Sequence, residues 1–439
     1  MRRVLPFSLS CAALLLNSWG AQAAKPADLR ARIDAEAAKV APAMIADRHT
    51  IHQNPELGYE EVATSKLVAD ALRAAGLEVQ TGIAKTGVVA ILKGGKPGPV
   101  IAVRADMDAL PVTEDTDLPF KSTKRETYLG KDVGVAHACG HDIHTTSLLG
   151  TALVLASMRA DLPGTVKFIF QPDEEGPPPG EITGALAMFR AGVLDNPKPE
   201  AIFALHTFNE VGDGVVAEVG KVGVTSGPAY AAVDQFVITI KGKQSHGAYP
   251  HLGIDPIVIG AQAVEALQTI RSRNLPATEP SVVTVGIFRG GERFNIIPAE
   301  VHLEGTVRTY SVAARDTVQR RMREILEGVT HAGGGTFELE YNENAPVTVN
   351  DPKLFDRMRS SLDRTLGKVN VVDSPATMGG EDYGYFSREV PGFYYRLGIV
   401  KPGTTTTGLH TPTYRPDDSA ILVGIRSMSN LLVDYLQGN

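Results

Sequence analysis

Short apolar runs alternate with longer amphipathic stretches over about the first 220 residues of the chain. Four of the runs have the length of buried strands and lie at 88–92, 100–104, 165–170 and 200–205. The stretches between them are typical of helices, and strands that alternate with helices indicate an α/β protein. We therefore predict an α/β/α domain with a central, mostly parallel sheet.

Polar side chains follow three of these runs, at the points where the predicted strands end. Asp106 and Asp108 follow the second run, Glu174 and Glu175 follow the third, and His206 follows the fourth. In open α/β sheets, sites lie outside the carboxyl ends of the strands. We therefore expect these five side chains to lie near one another.

The pattern changes near residue 221, where polar and apolar residues begin to alternate. Alternating and helical stretches follow in the order βαββαβ, with strands at 234–241, 282–288, 301–308 and 337–341 and helices at 255–273 and 314–329. This order predicts a compact, ferredoxin-like two-layer module inserted in the chain, with one sheet face free to meet a partner. After about residue 344 the first pattern resumes.

The first 23 residues have the composition of a secretory signal peptide. Arg2 and Arg3 precede an apolar run at about 4–16, and small residues offer a cleavage site after Ala23. We expect an exported protein, periplasmic or secreted, and no later apolar stretch is long enough to span a membrane. The predicted division is a signal peptide at 1–23, a first domain at 24–220 and 345–439, and the inserted domain at 221–344.

The composition is that of a globular protein without a nucleic-acid partner. Hydrophobic residues make up 43% of the chain and charged residues 21%, which is ordinary for such proteins. The net charge is −7, and the sequence contains no cluster of Lys and Arg. Both observations argue against binding to nucleic acid.

Cys139 is the only cysteine left once the predicted signal peptide is removed, so no intramolecular disulfide can form. It lies in the stretch 137–144 with His141, Asp142 and His144, ahead of a predicted helix. Alone, this cluster is more typical of a loop with a core cysteine and surface histidines. The polar residues at three strand ends reverse that preference, and metal ligation would explain a lone thiol in an exported protein.

Five dispersed side chains form a plausible ligand set for two divalent ions: Cys139, His141, Glu175, His206 and His410. Five protein ligands shared by two ions leave a position open for water, which is typical of a catalytic site. Thiolate and imidazole ligands favour zinc, while the carboxylate also allows manganese or cobalt.

Other carboxylates near this set have different predicted roles. A ligand carboxylate at Glu175 cannot easily deprotonate the water that it helps to hold, so we assign Glu174 as general base and acid. A solvated acidic turn is the alternative for this pair. Asp106, Asp108 and Asp142 are predicted to accept the second N–H of metal-bound imidazoles, with loop capping as the alternative.

Six motifs together resemble one family, the aminoacylase, hippurate hydrolase and auxin-conjugate hydrolase group of dinuclear metallopeptidases. They are 104–111, 137–144, 170–176, 242–251, 295–298 and 378–382. The resemblance runs from about residue 49 to the end of the chain. It implies a catalytic α/β domain interrupted by a lid domain, with the five metal ligands and the base as assigned above.

The resemblance also implies roles for residues in and beside the lid. His246 would reach the reacting carbonyl, from the lid of a partner subunit if the monomer does not close. Asn295, Arg308 and Gly380 would contact the substrate, the first two by holding its carboxylate. From the residues alone, His246 is equally a surface histidine, and Arg308 could pair with an acidic surface residue.

The expected activity is hydrolysis of the amide bond of N-acyl amino acids by an exported metalloenzyme. A dipeptidase or carboxypeptidase would share every catalytic part. Two remoter alternatives are a thiol hydrolase with Cys139 as nucleophile and a metal-bound binding protein without catalysis. Asp173, Gln244 and the long loop at 177–183 depart from the family pattern and leave the substrate preference open.

Overall fold

The structure of the protein is a computed structural model that describes residues 1, 29–212, 214–405 and 407–438. The predicted signal peptide lies, apart from residue 1, outside these residues, so its cleavage and the export of the protein stay predictions. Among the helices of the described residues, none is long and apolar enough to cross a membrane.

The larger of the two main sheets has eight strands in the order β1-β2-β6-β3-β7-β20-β10-β19. The strands are β1 (Glu78–Ile83), β2 (Gly87–Lys93), β3 (Lys96–Asp106), β6 (Pro163–Gln171), β7 (Ala201–Phe208), β10 (Val222–Val224), β19 (Val371–Asp373) and β20 (Gly392–Gly398). The central strands β6, β3, β7 and β20 are parallel, and antiparallel pairs occur towards both edges. The predicted mostly parallel sheet is thus confirmed.

Helices cover both faces of this sheet. They are α1 (Leu29–Gln53), α2 (Val62–Ala74), α3 (His141–Ser157), α4 (Gly184–Arg190), α7 (Pro352–Leu366), α8 (Gly384–Ser387) and α9 (Ala420–Leu436). Strand β7 shows why both faces must be covered. Phe203 and Leu205 belong to one apolar core, with α1, α3 and α9, while Ile202 and Ala204 belong to another, with α4 and α8. Successive side chains of a strand point to opposite faces, so such a continuous apolar run is buried on both.

The smaller sheet has four antiparallel strands in the order β14-β16-β12-β17 and two helices. Its elements are β12 (Ala232–Lys241), α5 (Pro256–Thr269), β14 (Ser281–Gly290), β16 (Glu300–Thr309), α6 (Val312–Gly333) and β17 (Thr336–Ala345). Phe236, Ile238 and Ile240 of β12 form a core with apolar residues of both helices. The predicted βαββαβ module is confirmed, and residues 232–345 are called the lid below.

Short strand pairs complete the fold. They are β4 (Arg125–Tyr128) with β5 (Lys131–Gly134), β8 (Glu210–Gly212) with β9 (Val215–Val216), β11 (Gly227–Tyr230) with β18 (Thr348–Asn350), and β13 (Ser245–His246) with β15 (Ile296–Ile297). Strands β11 and β18 are the two connections between the large sheet and the lid. Because β10 still belongs to the large sheet, the change of sheet lies between residues 224 and 232, later than the boundary predicted at 221. The division into domains itself stays a prediction.

Candidate metal centre

Three adjacent parallel strands bring the candidate residues to one edge of the large sheet. Strand β3 ends at Asp106, β6 leads into the loop with Glu174 and Glu175, and His206 lies near the end of β7. Helix α3 begins at this edge with His141. The site therefore lies where the pattern of strand ends predicted it.

Gly140 makes the turn that allows Cys139 and His141 to face the same space. Its φ is 94°, a left-handed conformation that side chains rarely adopt. A Cβ at this position would come within 2.2 Å of the Thr207 Oγ1 and 2.6 Å of the Tyr414 hydroxyl. Only glycine fits here, so the turn before α3 is fixed by the residue type.

The five predicted ligands come together in two overlapping groups. Cys139, His141 and His206 offer ligand atoms within 4.8 Å of one another, and so do Cys139, Glu175 and His410. The Cys139 Sγ lies 3.3 Å from the His206 Nε2, and the Glu175 Oε1 lies 3.2 Å from the His410 Nε2. The sulfur of Cys139 thus belongs to both groups.

Backbone carbonyls orient two of the imidazoles. The Nδ1 of His141 donates to the carbonyl oxygen of Asp108 at 2.9 Å, and the Nδ1 of His206 donates to that of Thr207 at 2.6 Å. Since Nδ1 carries the proton in each ring, the lone pair of Nε2 is directed into the cluster. This is how a ligand histidine is normally held before it binds a metal.

One buried atom of the cluster, the Nε2 of His141, has no hydrogen-bond partner among the described residues. Buried polar atoms normally have partners, so this nitrogen points to a group that binds there. Thiolate, imidazole and carboxylate donors fit a pair of divalent cations. Bound cations would lower the pKa of a water molecule and polarise a carbonyl group.

The surroundings of Cys139 argue against the thiol hydrolase hypothesis. Burial raises the pKa of the Cys139 thiol well above its usual range, and the charges of Glu175 and Glu174 raise it further. A nucleophilic cysteine needs a lowered pKa to react as a thiolate. The position of Cys139 therefore disfavours the thiolate that a nucleophile needs.

Glu174 lies beside the cluster, with its Oε2 3.8 Å from the Nε2 of His141. Burial raises the pKa of Glu174 well above its usual range, and Glu381 and Glu175 contribute through their charges. Glu174 also lies within ligand distance of His141 and Glu175. Its assignment as base rather than ligand therefore stays a prediction.

Asp108 contacts two candidate ligands, His141 and Glu175. Its Oδ1 lies 3.1 Å from the Nδ1 of His141, and its Oδ2 accepts the backbone N–H of Glu175 at 3.0 Å. Asp106 instead accepts from the Nδ1 of His144 at 2.5 Å, and its Oδ1 is 3.9 Å from the Nε2 of His141. Arg104 donates to the other oxygen of Asp106 at 2.6 Å.

Asp142 does not contact the imidazole of any candidate ligand, contrary to the prediction. Its Oδ2 accepts from the Nε of Arg48 and from the Nδ1 of His52, both at 2.9 Å. One residue further along a helix points about 100° away, so Asp142 faces α1 while His141 faces the cluster. Arg48 and His52 give no sequence signal as its partners, because they lie 94 and 90 residues away.

The cluster opens into a cavity of about 1390 Å³ between the large sheet and the lid. Arg308 and Gly380, both predicted to contact substrate, line this cavity together with all the candidate ligands except His141. A Cβ on Gly380 would come within 2.9 Å of the Arg308 Nη1 and 2.3 Å of the Val233 Cγ2. The glycine therefore leaves room for the guanidinium.

His246 and Asn295 do not line this cavity. His246 is exposed on β13, where its Nδ1 accepts the backbone N–H of Ala248 at 3.0 Å. The carbonyl of Asn295, just before β15, accepts the backbone N–H of Gly247 at 2.8 Å. Within one chain the structure thus separates these two residues from Arg308, which was predicted to act with Asn295.

The fold and the grouped side chains define a metal-dependent hydrolase of the α/β class. The chain belongs to peptidase family M20/M25/M40, whose model matches residues 102–434. It is 37% identical over 391 residues to N-acetylcysteine deacetylase of Bacillus subtilis, covering 89% of this chain and 96% of the relative. It is also 37% identical over 412 residues to thermostable carboxypeptidase 2 of Saccharolobus solfataricus, covering 93% and 99%.

A solved structure agrees with the fold. The YXEP protein of Bacillus subtilis, described as a dinuclear metal-binding peptidase of the M20 family, superposes with a TM-score of 0.76. The two chains are 35% identical, and the match covers 91% of this chain and 99% of the other. The resemblance stated from the motifs is thus confirmed, and the protein is an enzyme of a family that hydrolyses amide or peptide bonds.

Proposed function

We propose that the protein hydrolyses the amide bond of N-acyl amino acids, with two zinc ions bound by the five candidate ligands and Glu174 as general base and acid. Manganese and cobalt are the alternative metals. The observation that carries this proposal is the shared cavity, where Arg308 and Gly380 lie alongside the metal cluster. A guanidinium suits the free carboxylate of an amino acid next to the scissile amide.

Arg308 is half-buried in the cavity lining and has no ion pair with a described residue, whereas Arg190, which also lines the cavity without such an ion pair, is exposed. The carboxylates that line the cavity outside the metal cluster are all paired with cations. The pairs are Glu181 with Lys85, Glu343 with Arg315, and Glu381 and Asp382 with Arg104. A substrate with a free α-ammonium group would need an unpaired carboxylate, so the lining favours a neutral acyl group over the amino terminus of a dipeptide.

A substrate screen tests this proposal. Metal-loaded protein is given N-acetyl and N-benzoyl amino acids and the matching unblocked dipeptides, and its metal content is measured on the same sample. The N-acyl amino acids are expected to have the higher kcat/KM. Faster cleavage of the dipeptides would contradict the proposal.

The runner-up function is a carboxypeptidase, because one relative carries that name. Arg308 would then hold the carboxylate of a peptide's last residue, and the cavity would have to admit a longer chain. N-blocked tripeptides distinguish the two functions. A carboxypeptidase releases their last residue, whereas an enzyme for N-acyl amino acids prefers a single residue after the acyl group.

A homodimer formed through the lid would bring His246 to the site of the partner subunit. This proposal is supported by the apolar side chains exposed near His246 on the lid: Tyr249, Leu252, Phe294 and Ile296. A mixture of His246→Ala with Glu174→Gln tests it. If His246 acts across the interface, hybrid dimers restore about a quarter of the parental activity; if it acts within one chain, the mixture stays inactive.

The mature protein is expected outside the cytoplasm, in the periplasm or the medium. This proposal is supported by the signal-like composition of residues 1–23. Fractionation of expressing cells and sequencing of the mature amino terminus test it. A terminus at Ala24 in the exported fraction is expected, and an uncleaved cytoplasmic protein would contradict it.

A further inference from the structure

Tyr230, at the end of β11, lines the cavity next to the metal cluster together with Cys139 and His206. The residue is 5% exposed, and its ring packs edge-on against that of Tyr394 at 5.3 Å between centroids. Its hydroxyl oxygen is buried, and no described residue accepts its proton. A buried phenol whose proton has no acceptor is unfavourable, so the hydroxyl is suited to a group that enters the cavity.

Arg396 of β20 lies behind Tyr230. Its Cζ is 4.6 Å from the ring centroid of Phe208 and 5.3 Å from that of Tyr230, so two aromatic rings hold the guanidinium. The Nη1 donates to the Oγ of Ser374 at 2.6 Å, which fixes one end of the group. The Nη2 is buried and has no partner among the described residues.

The chemistry of this pair decides what the hydroxyl can bind. A guanidinium only donates hydrogen bonds, so a phenol beside it can accept from it and has one proton left to donate. Burial raises the pKa of Tyr230 to about 12, with Arg396 opposing the shift and Cys139 adding to it, so the phenol keeps its proton at neutral pH. A protonated phenol is a poor metal ligand. The proton of the Tyr230 hydroxyl is therefore suited to an oxygen atom of the substrate.

We propose that the Tyr230 hydroxyl donates a hydrogen bond to the carbonyl oxygen of the scissile amide, and that Arg396 is its positioning residue. This inference rests on the amide hydrolysis of the proposed function. When the oxygen of water bonds to the carbonyl carbon, the water proton passes to Glu174 and the π electron pair moves onto the carbonyl oxygen. The C–N bond then breaks and the nitrogen receives that proton. A donor at the carbonyl oxygen binds more strongly as this charge develops, which raises kcat.

Tyr230→Phe tests the contact with the least change in shape. We expect kcat for an N-acyl amino acid to fall about 10- to 100-fold, with KM within about twofold of the parent and the metal content unchanged. The control is Tyr385→Phe. Tyr385 lines the same cavity, but its hydroxyl already donates to the carbonyl oxygen of Asn344 at 2.9 Å, so parental kinetics are expected.

A binding measurement separates this role from a structural one. The probe is a phosphinate analogue of the N-acyl amino acid, whose tetrahedral centre carries a charged oxygen in place of the carbonyl oxygen. Tyr230→Phe should raise its Ki by the factor lost in kcat/KM, and leave the Ki of the product amino acid unchanged. Parental Ki and kcat in Tyr230→Phe, or a change in KM alone, would overturn the inference.

Arg396→Met tests the positioning role through a double-mutant cycle. Alone, Arg396→Met should lower kcat, as Tyr230→Phe does. In the Tyr230→Phe background it should cause little further loss of kcat. An equal loss in both backgrounds would show that Arg396 acts independently of Tyr230. A parent that cleaves no N-acyl amino acid contradicts the proposed function, and the phosphinate Ki still tests Tyr230 in that case because it requires no turnover.

Discussion

Glu174 and Glu175 are neighbours in the sequence, yet their side chains have different surroundings. Glu175 is fixed from two sides, because its backbone N–H binds Asp108 and its Oε1 lies near His410. Glu174 instead has ligand atoms of Glu381 and Asp382 within 4.8 Å of its own carboxylate. At the residue scale, we predict that Glu175 holds a cation and that Glu174 exchanges a proton with the substrate.

Exchange of each carboxylate for an amide should separate these roles. We expect Glu174→Gln to keep the metal content and to lower kcat on the order of 10²-fold or more, because an amide cannot accept the proton of water. Glu175→Gln should lower metal occupancy, since a neutral amide is a weaker ligand. Metal analysis and kinetics on the same samples measure both effects. Equal metal loss in the two variants would contradict the assignment.

Arg308 should determine the need for a free carboxylate in the substrate. The methyl ester of a good substrate is expected to lose about 2–4 kcal/mol of transition-state binding, or roughly 30- to 1000-fold in kcat/KM. Arg308→Met should remove most of this preference and leave the metals in place. Arg190→Met is the control, because Arg190 lines the same cavity. Equal rates for ester and acid in the parent would show that no carboxylate is bound.

At the element scale, the helices and strands with a strong period were predicted to within a few residues. The run at 100–104 is the core of β3, and the helical stripe at 314–329 is the core of α6. Strand β1 (Glu78–Ile83) was not predicted, because its side chains are mostly exposed and do not alternate. The backbone of β1 pairs with β2 at the edge of the sheet, and this pairing makes the segment a strand. Because its side chains are exposed, the segment has no apolar pattern from which a strand could be predicted.

Most of the metal cluster could be predicted from the sequence, whereas the buried residues that support it could not. Four of the cluster's five members follow buried strands or lie in a dense group of histidines, so their positions carry a signal, whereas His410 lies in the loop before α9. The buried trio of Arg48, His52 and Asp142 joins α1 to α3, and nothing local indicates that a basic side chain at these positions is buried. Such long-range pairs are decided by how helices pack, which the sequence pattern of either helix does not contain.

The trio makes stability depend on pH. Burial lowers the pKa of His52, but its hydrogen bonds to Asp142 and Glu114 outweigh this and raise it to about 9. A histidine with a pKa near 6.5 when unfolded then stabilises the fold fully below pH 6.5. This contribution is lost as the pH rises through 9. This shift in the pKa of His52 corresponds to about 3 kcal/mol of unfolding free energy.

His52→Gln should remove this contribution. The difference in unfolding free energy between parent and variant is expected to be about 3 kcal/mol larger at pH 6 than at pH 9.5, measured by urea titration of chelated protein. His251→Gln is the control, because His251 is exposed on the lid and its exchange should change stability little. A difference that does not vary with pH would contradict the charged state of His52.

For the whole molecule, the cluster connects segments that are far apart in the sequence. Cys139 lies just before α3 and His141 is its first residue, Glu175 follows β6, His206 lies on β7, and His410 lies in the loop before α9. Anything that binds all of them holds the large sheet, α3 and the carboxyl-terminal segment together. A ligand that binds only the folded state adds about 4 kcal/mol to stability at a thousandfold excess over its Kd.

Metal removal should therefore change activity and stability together. Exhaustive chelation is expected to abolish hydrolysis and to lower the unfolding temperature by several degrees, and zinc, manganese or cobalt should restore part of both.

Cys139→Ser should show a smaller stabilisation by each metal, because the sulfur belongs to both ligand groups and a hydroxyl is a weaker ligand than a thiolate. Since the Cys139 thiol must lose its proton to bind, loading should release protons into the buffer, measurable by calorimetry in buffers of different ionisation enthalpy. Full activity in a verified metal-free sample would overturn the metal-dependent mechanism.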